Sequence, residues 1–244
     1  MEVTAIIEAR MKSTRLPGKN LRPILGRPML EMLIERLKRS KLLDGIVVAT
    51  TTDASDDVIE ALCGKLGVGC FRGSMEDVLD RVLRAAQSVD ADVIVEITGD
   101  CPLTDPGIVD QAVEFFLKNK YDYVSNVLQL TYPLGIAVQV FPVKVLEEVS
   151  RLTQDPADRE HVSLYIYEHP ERYALHNMES GLSEKYRDYR LTVDTPEDFA
   201  LICAIFEALY PNKPAFDLAD MLAFLDSNPA LLELNRGIQQ RSAR

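Results

Sequence analysis

Residues 3–38 read VTAIIEARMKSTRLPGKNLRPILGRPMLEMLIERLK, and the order of patterns within them decides the fold. The β-branched apolar run 3–7 predicts a buried strand. A loop follows at once, rich in cations and carrying Gly18, Gly26, Pro17, Pro23 and Pro28. Pro28 then opens an amphipathic helix, MLEMLIERLKRS, whose Leu30, Leu33, Ile34 and Leu37 share one face at helical spacing. Outward from this unit the rhythm repeats: strand 45–52, helix 55–66, strand 68–71, helix 75–88, strand 92–98, helix 106–118 and strand 121–127. Strands alternating with helices of this length imply an α/β fold with a mostly parallel central sheet and helices on both faces. In such sheets, ligands bind beyond the carboxyl ends of the strands. The cationic loop leaves that end of the first strand.

The rhythm changes after about residue 125. The segment 131–142, TYPLGIAVQVFP, alternates like an antiparallel strand, and RYALHNM at 172–178 reads as another. A helix over 158–169 separates them. Residues 190–210 return to the strand-to-helix pattern. The expectation is one domain over 1–234 with an antiparallel excursion at about 126–185. Residues 235–244, NRGIQQRSAR, read as a polar tail without packed structure.

Composition narrows the function classes. With 244 residues, 47% of them hydrophobic, the chain can bury a sizeable core and is not disordered. Cys63, Cys70, Cys101 and Cys203 form no CxxC, which suits reduced thiols rather than a zinc site or a disulfide scaffold. The N-terminal residues carry no basic n-region or cleavage site, so a cytoplasmic location is expected. No apolar run approaches the ~18 residues of a membrane span. A net charge of −11 argues against broad nucleic-acid or anionic-membrane binding. That charge is uneven. No acidic residue stands between Glu8 and Glu31, where Arg10, Lys12, Arg15, Lys19, Arg22 and Arg27 lie, so the rest of the chain carries −17. A basic loop in an acidic frame suits a small polyanion.

Three constellations carry chemistry. The loop ARMKSTRLPGKN is neither a Walker A loop nor a GxGxxG fingerprint. Its Arg10 and Lys19 suit the non-bridging oxygens of a triphosphate, where they would offset developing charge. The second is ITGDCPLTDP, in which Asp105 before Pro106 reads as a helix cap, whereas Asp100 stands too early to be one. The third is VDTPEDF, where Thr195, Glu197 and Asp198 are accounted for by capping but Asp194 is not. Two strand-end carboxylates facing a cationic loop make a Mg²⁺–triphosphate site chemically sensible. The histidines His161, His169 and His176 are scattered and form no metal-spaced pair.

These motifs in this order resemble the cytidylyltransferase family that activates sugar acids as CMP-sugars, which includes the acylneuraminate and 3-deoxy-manno-octulosonate cytidylyltransferases. Within it the chain is similar to the branch of spore coat polysaccharide biosynthesis protein F. The resemblance runs through IIEARMKSTRLPGKNL, VVATTTDASDD, CFRGSMEDVLDR, ITGDCPLTDP, TYPLGIAVQVF, REHVSLYIY and RLTVDTPEDF. It implies a GT-A-like nucleotidyltransferase fold and a homodimer formed through an antiparallel dimerisation extension. It further implies attack of an acceptor hydroxyl on the α-phosphorus of CTP, with release of pyrophosphate, in surface polysaccharide biosynthesis. By resemblance Arg10, Ser13, Arg15 and Lys19 bind the CTP phosphates, with Arg10, Lys19 and Asp100 catalytic. Gly73, Ser74, Asp80 and Arg81 hold base and ribose, and Asp100 and Asp194 hold Mg²⁺. Tyr132, Gln139, His161 and Tyr165 fall on the side of a small anionic acceptor, a sugar acid. The related branch reads close to GLDVEVF where this chain has GIAVQVF, so Ala137 and Gln139 replace two carboxylates and the acceptor differs accordingly. Two alternatives stay open here. One is another nucleotide or a non-sugar acceptor; the other is a glycosyltransferase, whose usual DxD motif is absent.

Overall fold

β-Branched runs flanked by amphipathic helices fold as alternating layers in the computed structural model, which describes residues 1–241. Strand β1 (Val3–Glu8) leads into the cationic loop and a small hairpin of β2 (Pro23–Ile24) and β3 (Arg27–Pro28). Then follow α1 (Met29–Leu37), β4 (Gly45–Thr51), α2 (Asp57–Leu66), β5 (Gly69–Gly73), α3 (Val78–Gln87), β6 (Val93–Thr98) and α4 (Pro106–Lys118). The second half comprises β7 (Tyr123–Ser125), β8 (Gln139–Pro142), α5 (Val143–Leu152), α6 (Pro156–Glu160), α7 (Leu164–Glu168), β9 (Leu175–Asn177), α8 (Pro196–Leu209) and α9 (Leu218–Ser227).

The main sheet has the order β5-β4-β1-β6-β8-β7-β9. β1 lies parallel between β4 and β6, and β5 extends the parallel half beyond β4. Alternation along each strand feeds two cores. On one face Ile7, Val48 and Val95 pack with Leu33 of α1, Val109 of α4, Phe206 of α8 and Met221 of α9. On the other, Ile6, Val47, Ile94 and Phe141 meet Val82 of α3, Leu146 of α5 and Ile166 of α7. The expected caps form: Asp105 accepts from the Gly107 amide, and Thr195 with Asp198 makes a capping box at α8. Among the described residues no helix is long and apolar enough to cross a membrane.

Four expectations are corrected. β8 is antiparallel to both β6 and β7, but β9 runs parallel to β7. The connection through α5, α6 and α7 is long enough for a parallel return, and alternation within a strand carries no information on direction. The single helix over 158–169 is two short ones: the backbone leaves helical geometry at His161, with φ −107° and ψ 89°, and Val162 and Ser163 between them are buried. Residues 190–193 form a bridge at Leu134 and Arg190 rather than a strand, with Leu191 and Val193 donating to the carbonyls of Leu134 and Asp100. Asn235, at the start of the expected loose tail, is buried and hydrogen-bonded; residues 242–244 lie outside the described residues.

Candidate active site

The loop after β1 is held by its own backbone and by one acid. The Gly18 amide donates to the Met11 carbonyl at 2.9 Å, and Gly18 has a φ of 71°, a left-handed turn that suits glycine. Asn20 Nδ2 donates to the Arg10 carbonyl at 2.9 Å, and the Met11 amide donates to buried Asp56 at 2.7 Å. So anchored, the loop divides its cations. Lys12 turns outward to Asp53, Arg22 lies over the Phe199 ring, and Arg27 pairs with Glu31 and Glu35. Arg10, Arg15 and Lys19, with Ser13, line a cavity of about 560 Å³ at the carboxyl ends of β1 and β6.

Asp100 and Asp194 reach the same cavity from different segments. A Cβ at Gly99 would come within 2.6 Å of the Glu8 carbonyl oxygen, so glycine is what lets the chain after β6 pass so close to β1 and deliver Asp100. Lys19 Nζ lies between the two acids, donating to Asp100 Oδ2 at 2.9 Å, to Asp194 Oδ1 at 3.2 Å and to the Val193 carbonyl at 2.7 Å. Arg15 is 2.9 Å from Asp194 Oδ1, and Arg190 donates to Asp194 Oδ2 at 2.8 Å. Burial pushes the Asp100 carboxyl up, but Lys19, Thr98 and Cys101 together outweigh it and hold it below its ordinary value. Burial likewise opposes the Lys19 charge, and the two carboxylates overcome it, raising its pKa. Cys101, beside them, is no nucleophile: burial and the Asp100 charge push its thiol up to about 12.

A second acidic pair, absent from the sequence expectations, lies at the same end of the sheet. Glu8 ends β1 and lines the cavity, and Glu96 is buried on β6. Among the described residues no donor reaches Glu8 Oε1 or Glu96 Oε2, and the two carboxyls are close enough to hydrogen-bond each other. A proton shared between them would satisfy both. Burial, reinforced by the Glu96 charge and by Asp100, raises Glu8 well above its ordinary value against the pull of Arg81. Burial raises Glu96 to about 7, against the opposing influence of the polar groups of Ser163, Glu8 and Gln139 beside it. The signal was present: VTAIIE and VIVEIT each place one carboxyl in an otherwise apolar strand.

The remaining expected residues divide. Arg81 and His161 line the cavity, as does Ala137. Gln139 does not; it is buried beneath, its Oε1 accepting from Tyr123 at 2.5 Å and Ser163 at 2.7 Å. Gly73 and Ser74 lie outside the cavity wall, linked to it because the Ser74 carbonyl accepts from Arg81 and the Met75 carbonyl accepts from Arg10. Asp80 turns away to Arg84, Tyr132 packs into the core, and Tyr165 stacks on His169 with ring centroids 3.9 Å apart. Gln139, Asp80, Tyr132 and Tyr165 are not brought to the cavity because packing or a nearer polar partner claims each side chain.

Comparisons with known proteins bear on the family and the fold. The family model for cytidylyltransferases matches residues 4–227. The chain is 37% identical over 235 residues to spore coat polysaccharide biosynthesis protein SpsF of Bacillus subtilis, covering 93% of this chain and 95% of that protein. It is 28% identical over 249 residues to 3-deoxy-manno-octulosonate cytidylyltransferase of Geobacter sulfurreducens, covering 100% and 87%. The solved structure of a cytidylyltransferase from Leptospira borgpetersenii superposes with a TM-score of 0.91 at 34% identity, over 99% of this chain and 100% of that one. An α/β sheet with cations and carboxylates converging at its carboxyl end, matched over nearly its whole length, places this chain in the cytidylyltransferase family of nucleotidyltransferases.

Proposed function

We propose that the chain transfers the cytidylyl group of CTP to a hydroxyl of a small anionic acceptor, a sugar acid, in the biosynthesis of a surface polysaccharide. The observation that carries this reading is the convergence of Arg10, Arg15 and Lys19 with Asp100 and Asp194 in one cavity. The three cations suit a triphosphate and would offset charge on the departing pyrophosphate. The acceptor oxygen forms a bond to the α-phosphorus as the bond to the bridging oxygen breaks. The opposite wall, with Ala137 and His161, is left for the acceptor. The names of the relatives support the acceptor class: one is a spore coat polysaccharide protein, another a 3-deoxy-manno-octulosonate cytidylyltransferase.

The carboxylates fit a magnesium ion. Asp100 Oδ2 and Asp194 Oδ1 converge on one cationic atom, Lys19 Nζ, and are the hard oxygen donors that Mg²⁺ takes together with phosphate oxygens and water. When bound, the ion would supply Lewis-acid polarisation of the phosphate.

The experiment is pyrophosphate release from each of the four nucleoside triphosphates with Mg²⁺ and a panel of sugar acids, with products identified by mass spectrometry. CMP adducts are expected. A clear preference for another nucleotide would sink the cytidine assignment, and turnover of a nucleotide-sugar without CTP would replace the reading with glycosyl transfer. Full activity in excess chelator would remove the metal.

A further inference from the structure

The C-terminal segment read from sequence as a loose polar tail reaches the cavity. Arg190 is 7% exposed and its guanidinium is engaged on three sides. Nη2 donates to Asp194 Oδ2 at 2.8 Å, Nε donates to Asp198 Oδ1 at 2.8 Å, and Nη1 donates to Gln240 Oε1 at 2.6 Å. Asp198 is fully buried and also accepts from the Asp194 and Thr195 amides. Asn235, 4% exposed, closes the network by donating from one Nδ2 to the Arg190 carbonyl at 3.0 Å and to Asp198 Oδ1 at 2.9 Å. Gln240 and Arg241 themselves line the cavity.

The consequence falls on Asp194. Its Oδ1 faces Lys19 and Arg15, and its Oδ2 is taken by Arg190. A carboxylate tethered through one oxygen cannot rotate the other away from the cavity. Arg190 in turn is fixed by two residues beyond position 227, where the family match ends.

We propose that residues 235–241 complete the active site, with Asn235 and Gln240 as positioning residues that hold Asp194 through Arg190. This rests on the proposed reading that Asp194 serves a CTP–Mg²⁺ site. Ligand groups oriented by outer partners typically lose about tenfold to a hundredfold in affinity or activity when those partners are removed.

The test uses the full chain and CTP with Mg²⁺ as the probe, measured by titration calorimetry beside thermal melts of each variant. Gln240→Ala should weaken CTP–Mg²⁺ binding about tenfold with an unchanged melting temperature. Gln240→Glu, which keeps an oxygen for Arg190, should recover most of that loss. Asn235→Ala should weaken binding at least as much. It removes a buried donor, so only Gln240 separates positioning from folding. Binding by Gln240→Ala within twofold of the wild type, or no recovery in Gln240→Glu, overturns the proposal while leaving the cytidylyl-transfer reading standing. A wild type that binds no CTP under conditions where it binds another triphosphate overturns the cytidine reading and leaves the variants to be scored on that nucleotide. A wild type that binds none overturns both.

Discussion

Two pairs of carboxyl groups meet at one end of the sheet, and their neighbours differ in kind. Asp100 and Asp194 have a lysine ammonium between them, with Arg15 on the same Asp194 oxygen and Arg190 on the other. Glu8 and Glu96 have only a proton to share, with Arg81 at a distance. Burial pushes Asp100, Glu8 and Glu96 alike toward the neutral acid. What differs is the group in the middle: the Lys19 ammonium holds Asp100 below its ordinary value, and without such a cation Glu8 and Glu96 are pushed above theirs. A close pair of acids is therefore not by itself a metal site. The pair that surrounds a cation is the one the proposed magnesium would use; Glu8 and Glu96 form a polar floor beneath the cavity.

The largest expected effect comes from removing the cation that sets the first pair apart. Lys19→Ala should lower kcat/KM by about two to three orders of magnitude, the scale lost when a charge-stabilising donor is deleted from an active site. Arg15 and Arg190 still neutralise Asp194, so the fold should survive; a thermal melt checks this beside the kinetics. Turnover near that of the wild type would show that the ammonium between the acids is a structural bridge only, and the contrast between the pairs would lose its functional meaning.

The second pair predicts a pH effect of opposite sign. Glu96 titrates at about 7 in the folded protein, above the ordinary carboxylate value near 4.5. The folded state therefore holds a proton that the unfolded chain has already released, and stability falls as pH rises through this interval. Asp100 is displaced the other way: its contribution is present above its unfolded pKa and is lost as pH falls through the folded value. Glu96→Gln should flatten the decline on the neutral side and leave the acid side unchanged. At pH 8 the variant should gain on the order of 3 kcal/mol at most, from the size of the displacement. Chemical denaturation at pH 5 and pH 8 measures it, and equal pH dependence in both proteins would refute the shared proton.

The parallel half of the sheet was legible because β1, β4 and β6 are mainly apolar runs ending in loops, and the caps at Asp105 and Thr195 stand in sequence beside the helices they start. Asp100 and Asp194 could be singled out because capping left them unexplained. Less could be read after residue 125. α5 starts directly after Pro142 of β8 with no turn between them, so strand alternation and helical spacing run together. The direction of β9 is a property of its partner, not of its own residues. The coupling of Asn235 and Gln240 to Arg190 spans 45 and 50 positions, and no local pattern announces it. Local charge also misled in part: six cations lie close together in the loop, yet three of them face the cavity and three turn away to carboxylates or an aromatic ring.

That division allows the smallest effect to be the sharpest control. Lys12 stands seven positions from Lys19 in the same loop and carries the same charge, and its ammonium also meets a carboxylate, Asp53 Oδ2 at 2.6 Å. Its side chain is 57% exposed, however, against 11% for Lys19. In water the pairing is screened and competes with hydration, so exposed ion pairs of this kind contribute little. Lys12→Ala should change kcat/KM by about twofold or less. If proximity in sequence and positive charge were enough to steer a triphosphate, Lys12→Ala would approach the loss seen in Lys19→Ala. Measured at low and at physiological ionic strength, an equal loss in the two variants would assign the loop's role to its net charge. A large loss in Lys19→Ala alone would assign that role to the ammonium enclosed between Asp100 and Asp194.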